Sequence, residues 1–591
     1  MGPLRAFANR WPVAVSGGRR TIRRGMIAAL TTVAAVAPAV AQTPPRQIAP
    51  PTREEITQPA PSPPTGRTRL QIEGGIEHAP CPLADPAYKD IRLTISRATF
   101  HNLKGVSREE LARSYATLLG VNRPVATICD IRDAAATYLR RKGYLAAIQV
   151  PVQKIDNGEV AFEVLYARVV AVRVRGDAGR NEKLIAAYLN KLTRDEVFNS
   201  FAAERYLLLT RDLPGYDVKL SLRPAGTALG ELYGDVTVVR RPVEADFNVQ
   251  DLGARSTGRW GGQLRAQING PLGIGDRTTI GIYSTSDFKE QQILQLGEDV
   301  HLGGEGFALG GHFTYAWTHP DVDVPNANVR ARTLFANAEA SYPFIRSQFA
   351  NLRGSAGFDF VDQTVRLNTI PLTRDRIRVA YLRLDGDIAD RRAGLSPRWR
   401  QAYSLEFRQG LDIFSPTEGF VPGGVSLSRA DADAEGTLIR LTGVSEFRLA
   451  PNVTVSIAPR AQYSWNSLLS FEQYSAGNFT VGRGYDPGTL IGDSGLGGTA
   501  EIRLDRVNPF KDRPIGLQPF LFVDQAWVWN KDNPGVSDEL TSVGGGVRAV
   551  YAQRFRLDMT LAVPTRRAGL QTERGDVRFL VSLTTRLVGA R

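Results

Sequence analysis

The sequence has little sulfur and little histidine. Its 591 residues include 2 Cys, 3 Met and 5 His. Five scattered histidines leave little material for a histidine-based metal site. None of them lies in the Gly-x-Ser-x-Gly context that many hydrolases build around a nucleophile. We therefore expect no metal site and no enzyme activity.

Long hydrophobic runs are also lacking. The apolar run Met26–Ala37 is too short to span a bilayer, and no later segment has about 20 consecutive apolar residues. An arginine-rich start precedes this run and Ala39-Val40-Ala41 follows it, an order typical of a secretory signal peptide. We predict that residues 1–41 are a signal peptide and that the chain is exported.

The positive charge does not indicate a nucleic-acid partner. Of the formal charge of +13, residues 1–41 supply six arginines and no acidic residue, so the remainder carries +7. That charge is not clustered in a stripe with interleaved aromatic residues, as nucleic-acid binding would require.

The two cysteines, Cys81 and Cys129, lie in one stretch of the chain. In an exported protein an even pair is best explained by a structural disulfide, which here would join the start of a domain to its second helix. Two free thiols are the alternative.

Residues 42–80 contain many prolines and are predicted to be an extended linker. Only Thr52–Gln58 could form a turn of helix, so a short plug segment is the most that this stretch allows.

A β-α-α-β-β pattern then occurs twice, in residues 81–166 and 167–242. In the first copy, Ser107-Arg-Glu-Glu110 has the pattern of a capping box that opens a helix. The first copy is predicted to hold a strand at 91–100, helices at 107–119 and 125–142, and strands at 145–154 and 159–165. The second copy is predicted to hold a strand at 169–174, helices at 181–192 and 194–209, and strands at 216–222 and 230–239.

Residues 243–591 alternate between apolar and polar side chains. Segments of about ten residues recur with turn signals, and we count roughly sixteen, within a range of fourteen to eighteen. A soluble sandwich would pack the apolar faces of two sheets together. The length and even number of the segments instead favour a transmembrane barrel with an apolar outer face and a polar lumen.

One loop, residues 473–498, is far longer than the 2 to 5 residues that a hairpin needs. Its glycines and its proline exclude regular structure, yet Arg483, Tyr485 and Leu490 need groups to pack or pair with. The loop either folds back into a cavity, where Arg483 meets a carboxylate, or lies outside with Arg483 in water.

The strands after this loop supply carboxylates. In 518–527, the alternation that turns Leu521, Val523 and Trp527 outward turns Phe522, Asp524 and Ala526 inward, and Glu501 faces inward on the neighbouring strand. An arginine held by one or two lumenal carboxylates would fix the loop's position.

These motifs resemble those of the two-partner secretion transporters, the TpsB (haemolysin secretion/activation, ShlB/FhaC/HecB) family. Val481-Gly482-Arg483-Gly484-Tyr485 is similar to the family's Val-Arg-Gly-Tyr/Phe loop tip, with Gly482 inserted. Phe522-Val-Asp524-Gln-Ala526 is similar to its Phe-x-Asp-x-Gly strand motif, with Ala526 in place of glycine. The two repeats resemble its POTRA domains, and Cys129 with Gly143-Tyr144 is similar to the first of them.

The resemblance implies a transmembrane β-barrel of about 16 antiparallel strands, residues 243–591, preceded by two α+β POTRA domains. It places the barrel in the outer membrane of a Gram-negative bacterium, among lipid and lipopolysaccharide, with the POTRA domains in the periplasm. The implied partners are an unfolded TpsA-type exoprotein, such as an adhesin or haemolysin, and the barrel assembly machinery during biogenesis. No nucleotide or cofactor is implied.

Two other functions remain open. A barrel-insertion factor of the same superfamily would usually carry three or five POTRA domains, whereas this chain has room for two. A passive porin would need no periplasmic binding modules.

Overall fold

The computed structural model describes most of the chain after residue 79, with short gaps, and two segments before it. The signal-peptide prediction for residues 1–41 lies outside the described residues. No helix among the described residues is long and apolar enough to cross a membrane. The described ranges are 51–57, 72–73, 80–228, 230–322, 325–390, 397–418, 424–509, 514–533, 535–552, 554–569 and 573–589.

The helices and the first nine strands form two α+β domains and a short N-terminal segment. The helices are α1 (Arg53–Ile56), α2 (Arg108–Ala112), α3 (Thr127–Arg141), α4 (Glu182–Leu189) and α5 (Ser200–Asp212). The strands are β1 (Ile72–Glu73), β2 (Arg92–Thr94), β3 (Arg97–His101), β4 (Asn122–Pro124), β5 (Ala146–Gln149), β6 (Glu159–Tyr166), β7 (Arg168–Gly176), β8 (Tyr216–Pro224) and β9 (Glu231–Arg240).

The first domain packs α3 against a sheet of order β3-β6-β5. Its core is apolar and includes Ile131, Leu139 and Phe162, all fully buried. The predicted strand 91–100 is two strands, because β2 pairs with β4 whereas β3 pairs with β6. The predicted helix 107–119 ends at Ala112 as α2, and a separate 3₁₀ turn, Ala116–Leu118, follows.

Cys81 and Cys129 form a disulfide, with 5.9 Å between their Cα atoms. Cys129 lies in the first turn of α3, so the bond joins the start of the domain to its long helix.

The second domain repeats this plan with α4 and α5 on a sheet of order β1-β8-β9-β7. Its core includes Tyr188, Leu207, Leu220 and Val236. The fourth strand, β1, comes from the N-terminal segment and pairs parallel with β8. The edge of β8 therefore accepts an additional extended strand.

Sixteen of the remaining eighteen described strands form a closed antiparallel barrel, which confirms the predicted barrel and its count. The barrel runs from β10 through β20, continues at β23, and closes where β27 pairs with β10. The strands are β10 (Val243–Asp251), β11 (Trp260–Asn269), β12 (Arg277–Thr285), β13 (Gln291–Leu302), β14 (Phe307–Thr318), β15 (Val329–Arg346), β16 (Ala350–Leu367), β17 (Ile370–Ala389), β18 (Trp399–Gly410), β19 (Thr437–Ala450), β20 (Val453–Ser464), the small hairpin β21 (Tyr474–Ala476) and β22 (Leu490–Gly492), β23 (Ser494–Leu504), β24 (Ile515–Trp529), β25 (Ser537–Tyr551), β26 (Phe555–Pro564) and β27 (Arg578–Val588).

Alternation separates an apolar outer face from a polar lumen. On β24, Leu521 is 64% exposed and Val523 is 47% exposed on the outside, whereas Phe522, Asp524 and Ala526 are buried on the inside. The outer face therefore exposes the apolar side chains that a lipid environment accepts.

The second domain is docked onto short turns of the barrel. Asp212, at the end of α5, accepts two hydrogen bonds of 2.6 Å from Arg346 at the end of β15. Asn181 accepts a hydrogen bond of 2.9 Å from the Gly275 amide, and Lys191 pairs with Glu305. These contacts with three separate turns fix the domain at one mouth of the barrel.

Replacing both Cys81 and Cys129 with serine should destabilise the first domain. Without the disulfide, which joins residues with a sequence separation of 48, the unfolded chain regains entropy. The free energy of unfolding should fall by about 4 kcal/mol as a result. Limited proteolysis of the full-length protein should then cleave the first domain first, while the barrel stays protected. Equal resistance of the variant and the wild-type protein would contradict this prediction.

Candidate functional site in the barrel lumen

The long loop lies inside the barrel and spans residues 465–493, between β20 and β23. The predicted C-terminal boundary at residue 498 is wrong, because Ser494–Gly498 already pair with β24. These glycines belong to the strand and make room for a loop side chain. A Cβ atom on Gly495 would lie 2.4 Å from the Tyr474 ring.

The loop tip is joined to the barrel wall through Arg483 and Asp524. The Arg483 backbone N–H donates to Asp524 Oδ2 at 2.8 Å, and its Nε and Nη2 atoms donate to the same carboxylate at 3.2 and 2.9 Å. Thr499 and Ser542, from the strands on either side, donate to the carboxylate at 2.8 and 3.1 Å. Both oxygens of the fully buried carboxylate thus accept hydrogen bonds. A buried ion needs such bonds to offset the loss of its contacts with water.

Glu501 extends this tip cluster, which we define as Arg483, Asp524 and Glu501. Arg483 Nη1 lies 3.3 Å from Glu501, which also accepts two hydrogen bonds of 2.7 and 2.8 Å from Arg548. The Arg483 guanidinium stacks 3.4 Å from the centre of the Phe522 ring, and that of Arg548 stacks 4.1 Å from Phe520. The rings shield both arginines and add cation–π attraction.

The glycines at the tip are required by close contacts. A Cβ atom on Gly484 would lie 2.9 Å from the Ser542 Cβ and 3.0 Å from the Pro564 nitrogen. Gly482 has a φ of +119°, a conformation that L side chains rarely adopt, and a Cβ there would lie 2.7 Å from Leu540. Both residues let the tip backbone approach the wall closely.

Ala526, where the family motif has glycine, fits because its cross-strand partner is Gly497. A Cβ atom on Gly497 would lie 2.9 Å from the Ala526 Cβ. The absence of a side chain at Gly497 thus makes room for the Ala526 methyl group.

Tyr485 anchors the tip on its other side. Its fully buried hydroxyl lies 2.8 Å from the carbonyl oxygens of both Thr541 and Arg566. The next residue, Asp486, pairs with Arg578 at 2.8 Å. The tip therefore bridges the wall from β23 to β27.

A short plug segment, residues 51–57, also lies in the lumen, within the stretch that was predicted to be a linker with at most a short plug. Thr52 caps α1, and Ile56 is fully buried against the wall. Arg53 lies 3.4 Å from Asp359, and Glu54 pairs with Arg460. Among the described residues of this stretch, one turn of helix, Arg53–Ile56, thus enters the lumen.

Sequence reasoning missed the wall residues that surround the predicted ones, including Thr499, Arg548 and Ser542. The alternation of inward and outward side chains along β23 and β25 could have identified them. Another signal was Gly544-Gly545-Gly546. A Cβ on the first or third of these glycines would lie under 3 Å from the Phe522 or Phe520 ring, so they form the flat surface on which the rings lie.

Comparison with known proteins decides the family. A model of the family "Haemolysin secretion/activation protein ShlB/FhaC/HecB" matches residues 236–549, more than half of the chain. The chain belongs to this family. It is therefore an outer-membrane secretion transporter rather than an enzyme, and its POTRA domains lie in the periplasm.

Individual proteins resemble this ShlB/FhaC/HecB family member in sequence or in fold. The outer membrane transporter CdiB-2 of Burkholderia pseudomallei is 21% identical over 464 residues, 74% of each chain. The structure of CdiB from Escherichia coli matches with a TM-score of 0.70 at 15% identity, covering 86% of this chain and 92% of that one. CdiB from Acinetobacter baumannii matches with a TM-score of 0.61 at 18% identity, covering 92% and 94%.

Asp524→Asn should weaken the attachment of the loop tip. A charge-assisted hydrogen bond contributes about 2 kcal/mol, so the released fraction of the loop should rise more than tenfold. In planar lipid bilayers the purified transporter should open more often and for longer.

The matched control is Asp246→Asn, which removes a buried inward carboxylate on β10 that pairs with the wall residues Arg265 and Arg586 at 3.5 and 3.6 Å. Unchanged gating in Asp524→Asn, or an equal change in both variants, would contradict the prediction.

Proposed function

We propose that this transporter secretes an unfolded TpsA-type exoprotein through its barrel to the cell surface, without nucleotide. The observation that carries the proposal is that the lumen is filled by two segments of the chain itself, the long loop and the plug segment. Ion pairs, hydrogen bonds and packing hold both segments. Such contacts can be exchanged for contacts with a passing polypeptide, whereas a permanently open pore would not need them.

In this proposal the tip cluster sets the resting shape of the pore. Arg483 binds Asp524 and Glu501, Gly484 allows close approach, and Tyr485 anchors the far side of the tip. Phe522 and Ala526 shape the wall beneath the loop. Folding of the exoprotein outside the cell would supply the driving force.

The edge of β8 is the proposed recognition surface for the exoprotein. Here it pairs with β1, at Ile72 with Leu220 and at Glu73 with Ser221. Backbone hydrogen bonds at a sheet edge depend little on side chains, so an edge that accepts the linker can accept an extended segment of cargo. Cargo would then compete with β1.

A cavity of about 940 Å³ lies between α5 of this domain and the barrel wall. Leu208 and Arg211 of α5 line one side, and inward residues of the barrel wall, among them Arg353, Asp385 and Arg400, line the other. Charges of both signs suit an extended chain of mixed sequence. We propose this vestibule as the entry route.

A photo-crosslinking residue at Ser221 should capture the exoprotein during export. The matched control position is Arg173, which lies in the same row across the sheet, on β7 at the opposite edge, with Asp235 between them. We expect a crosslinked product at Ser221 and at least fivefold less at Arg173. Equal capture at both positions would contradict recognition at the β8 edge.

Cells that carry the wild-type chain should secrete a large β-helical exoprotein encoded beside this gene. Arg483→Ala should insert normally and fail to secrete it. If deleting the whole chain leaves export intact while other barrels fail to assemble, secretion is the wrong function and barrel insertion replaces it.

A further inference from the structure

The long loop has a second attachment to the barrel wall, near its beginning. Glu472, eleven residues before the tip arginine, is buried against strands β18 and β19. Its partner is Arg408 on β18, a fully buried arginine. In the closed barrel β18 lies four strands from β24, so this contact and the tip cluster are on different parts of the wall.

Arg408 uses all three nitrogens of its guanidinium on carboxylates. Nε and Nη2 each lie 2.8 Å from one oxygen of Glu472, the two-pronged geometry that is strongest for this pair. Nη2 also lies 2.7 Å from Asp359, and Nη1 lies 2.9 Å from Glu406. Asp359 and Glu406 belong to the wall, whereas Glu472 belongs to the loop.

Arg440 on β19 holds the same point of the loop. Its Nη2 donates to the Glu472 backbone oxygen at 2.8 Å and lies 3.2 Å from the carboxylate. Gln462 on β20 donates to the same backbone oxygen at 2.9 Å. Both the side chain and the backbone of Glu472 are thus fixed by the wall.

We infer that Arg408 is a positioning residue that holds the beginning of the loop independently of its tip. We call Arg408, Glu472, Asp359, Glu406 and Arg440 the base cluster. No hydrogen bond of the base cluster shares an atom with those of the tip cluster. Releasing the tip therefore leaves the base of the loop in place, and the loop swings as an arm instead of leaving the lumen as a whole.

The plug segment contacts the base cluster through a weaker connection. Arg53 lies 3.4 Å from Asp359 and 3.9 Å from Glu472, longer than the distances from Arg408 to the same two carboxylates. When the plug leaves, both carboxylates keep Arg408. The base cluster thus lets the plug depart without releasing the loop.

The inference deepens the proposed function because it concerns the same loop, but its test needs no exoprotein. The purified full-length protein is given one new thiol, since its two natural cysteines are bonded to each other. Ser475→Cys reports on the base of the loop, and Val481→Cys reports on the tip. Both positions are 3% exposed. A large, membrane-impermeant maleimide labels each thiol only when its part of the loop leaves the wall.

Glu472→Gln should raise the labelling rate at Ser475→Cys about tenfold, the effect of losing a buried charge-assisted contact. Asp524→Asn should raise labelling at Val481→Cys and leave Ser475→Cys protected. Arg53→Gln should increase pore conductance while Ser475→Cys again stays protected. Arg408→Lys keeps the charge but loses the two-pronged contact. Its labelling rate at Ser475→Cys should therefore lie between those of the wild type and Glu472→Gln.

The matched control is Glu446→Gln. Glu446 pairs with Arg503, and both residues belong to the barrel wall and not to the loop. Only variants whose barrel stays folded, judged by their faster migration on an unheated gel, are compared. Equal labelling in Glu472→Gln, Glu446→Gln and the wild type would overturn the inference. So would labelling at Ser475→Cys in Asp524→Asn, because the loop would then leave as one unit. A failure of secretion alone would bear on the proposed function and not on this inference.

Discussion

The charges that the barrel turns inward must be paired where they are taken out of water, and this constraint organises the lumen. A buried carboxylate or guanidinium without a partner costs several kcal/mol. Asp524, Asp359 and Arg408 are all fully buried. Besides their partners in the wall, Asp524 and Arg408 each pair with a residue of the loop, and Asp359 lies 3.4 Å from Arg53 of the plug. The two inserted segments thus add partners of opposite sign to charges that face the lumen.

This arrangement makes closure strong but reversible. Exchanging one set of charged partners for another keeps the buried charges paired, because a passing polypeptide can supply charged and polar groups in place of those of the loop. The outer face has the opposite chemistry, and Leu521 and Val523 remain exposed for lipid. A barrel with an apolar exterior can thus rearrange its interior without unfolding.

The contacts at the mouth of the barrel connect recognition with closure. Asp212 and Arg346 hold the second POTRA domain against the barrel, so the edge of β8 has a fixed relation to the entrance. The N-terminal segment pairs with that edge at β1, and its earlier residues plug the lumen at α1. One short stretch of chain therefore contacts both surfaces that the proposed exoprotein would use.

The sequence by itself determined the barrel, the two α+β repeats and the inward direction of Asp524 and Glu501. These features follow from strict alternation and helical periodicity, which are local properties of the chain. It could not determine where the loop ends, because glycines that exclude a helix also occur in a strand that faces a bulky side chain, as Gly495 faces Tyr474. Only the tertiary structure decided that Glu472 meets Arg408 and that Arg53 enters the lumen. The Arg53–Asp359 contact, for example, joins residues 306 positions apart, and such partners are chosen by the closure of the barrel and not by any spacing in the sequence.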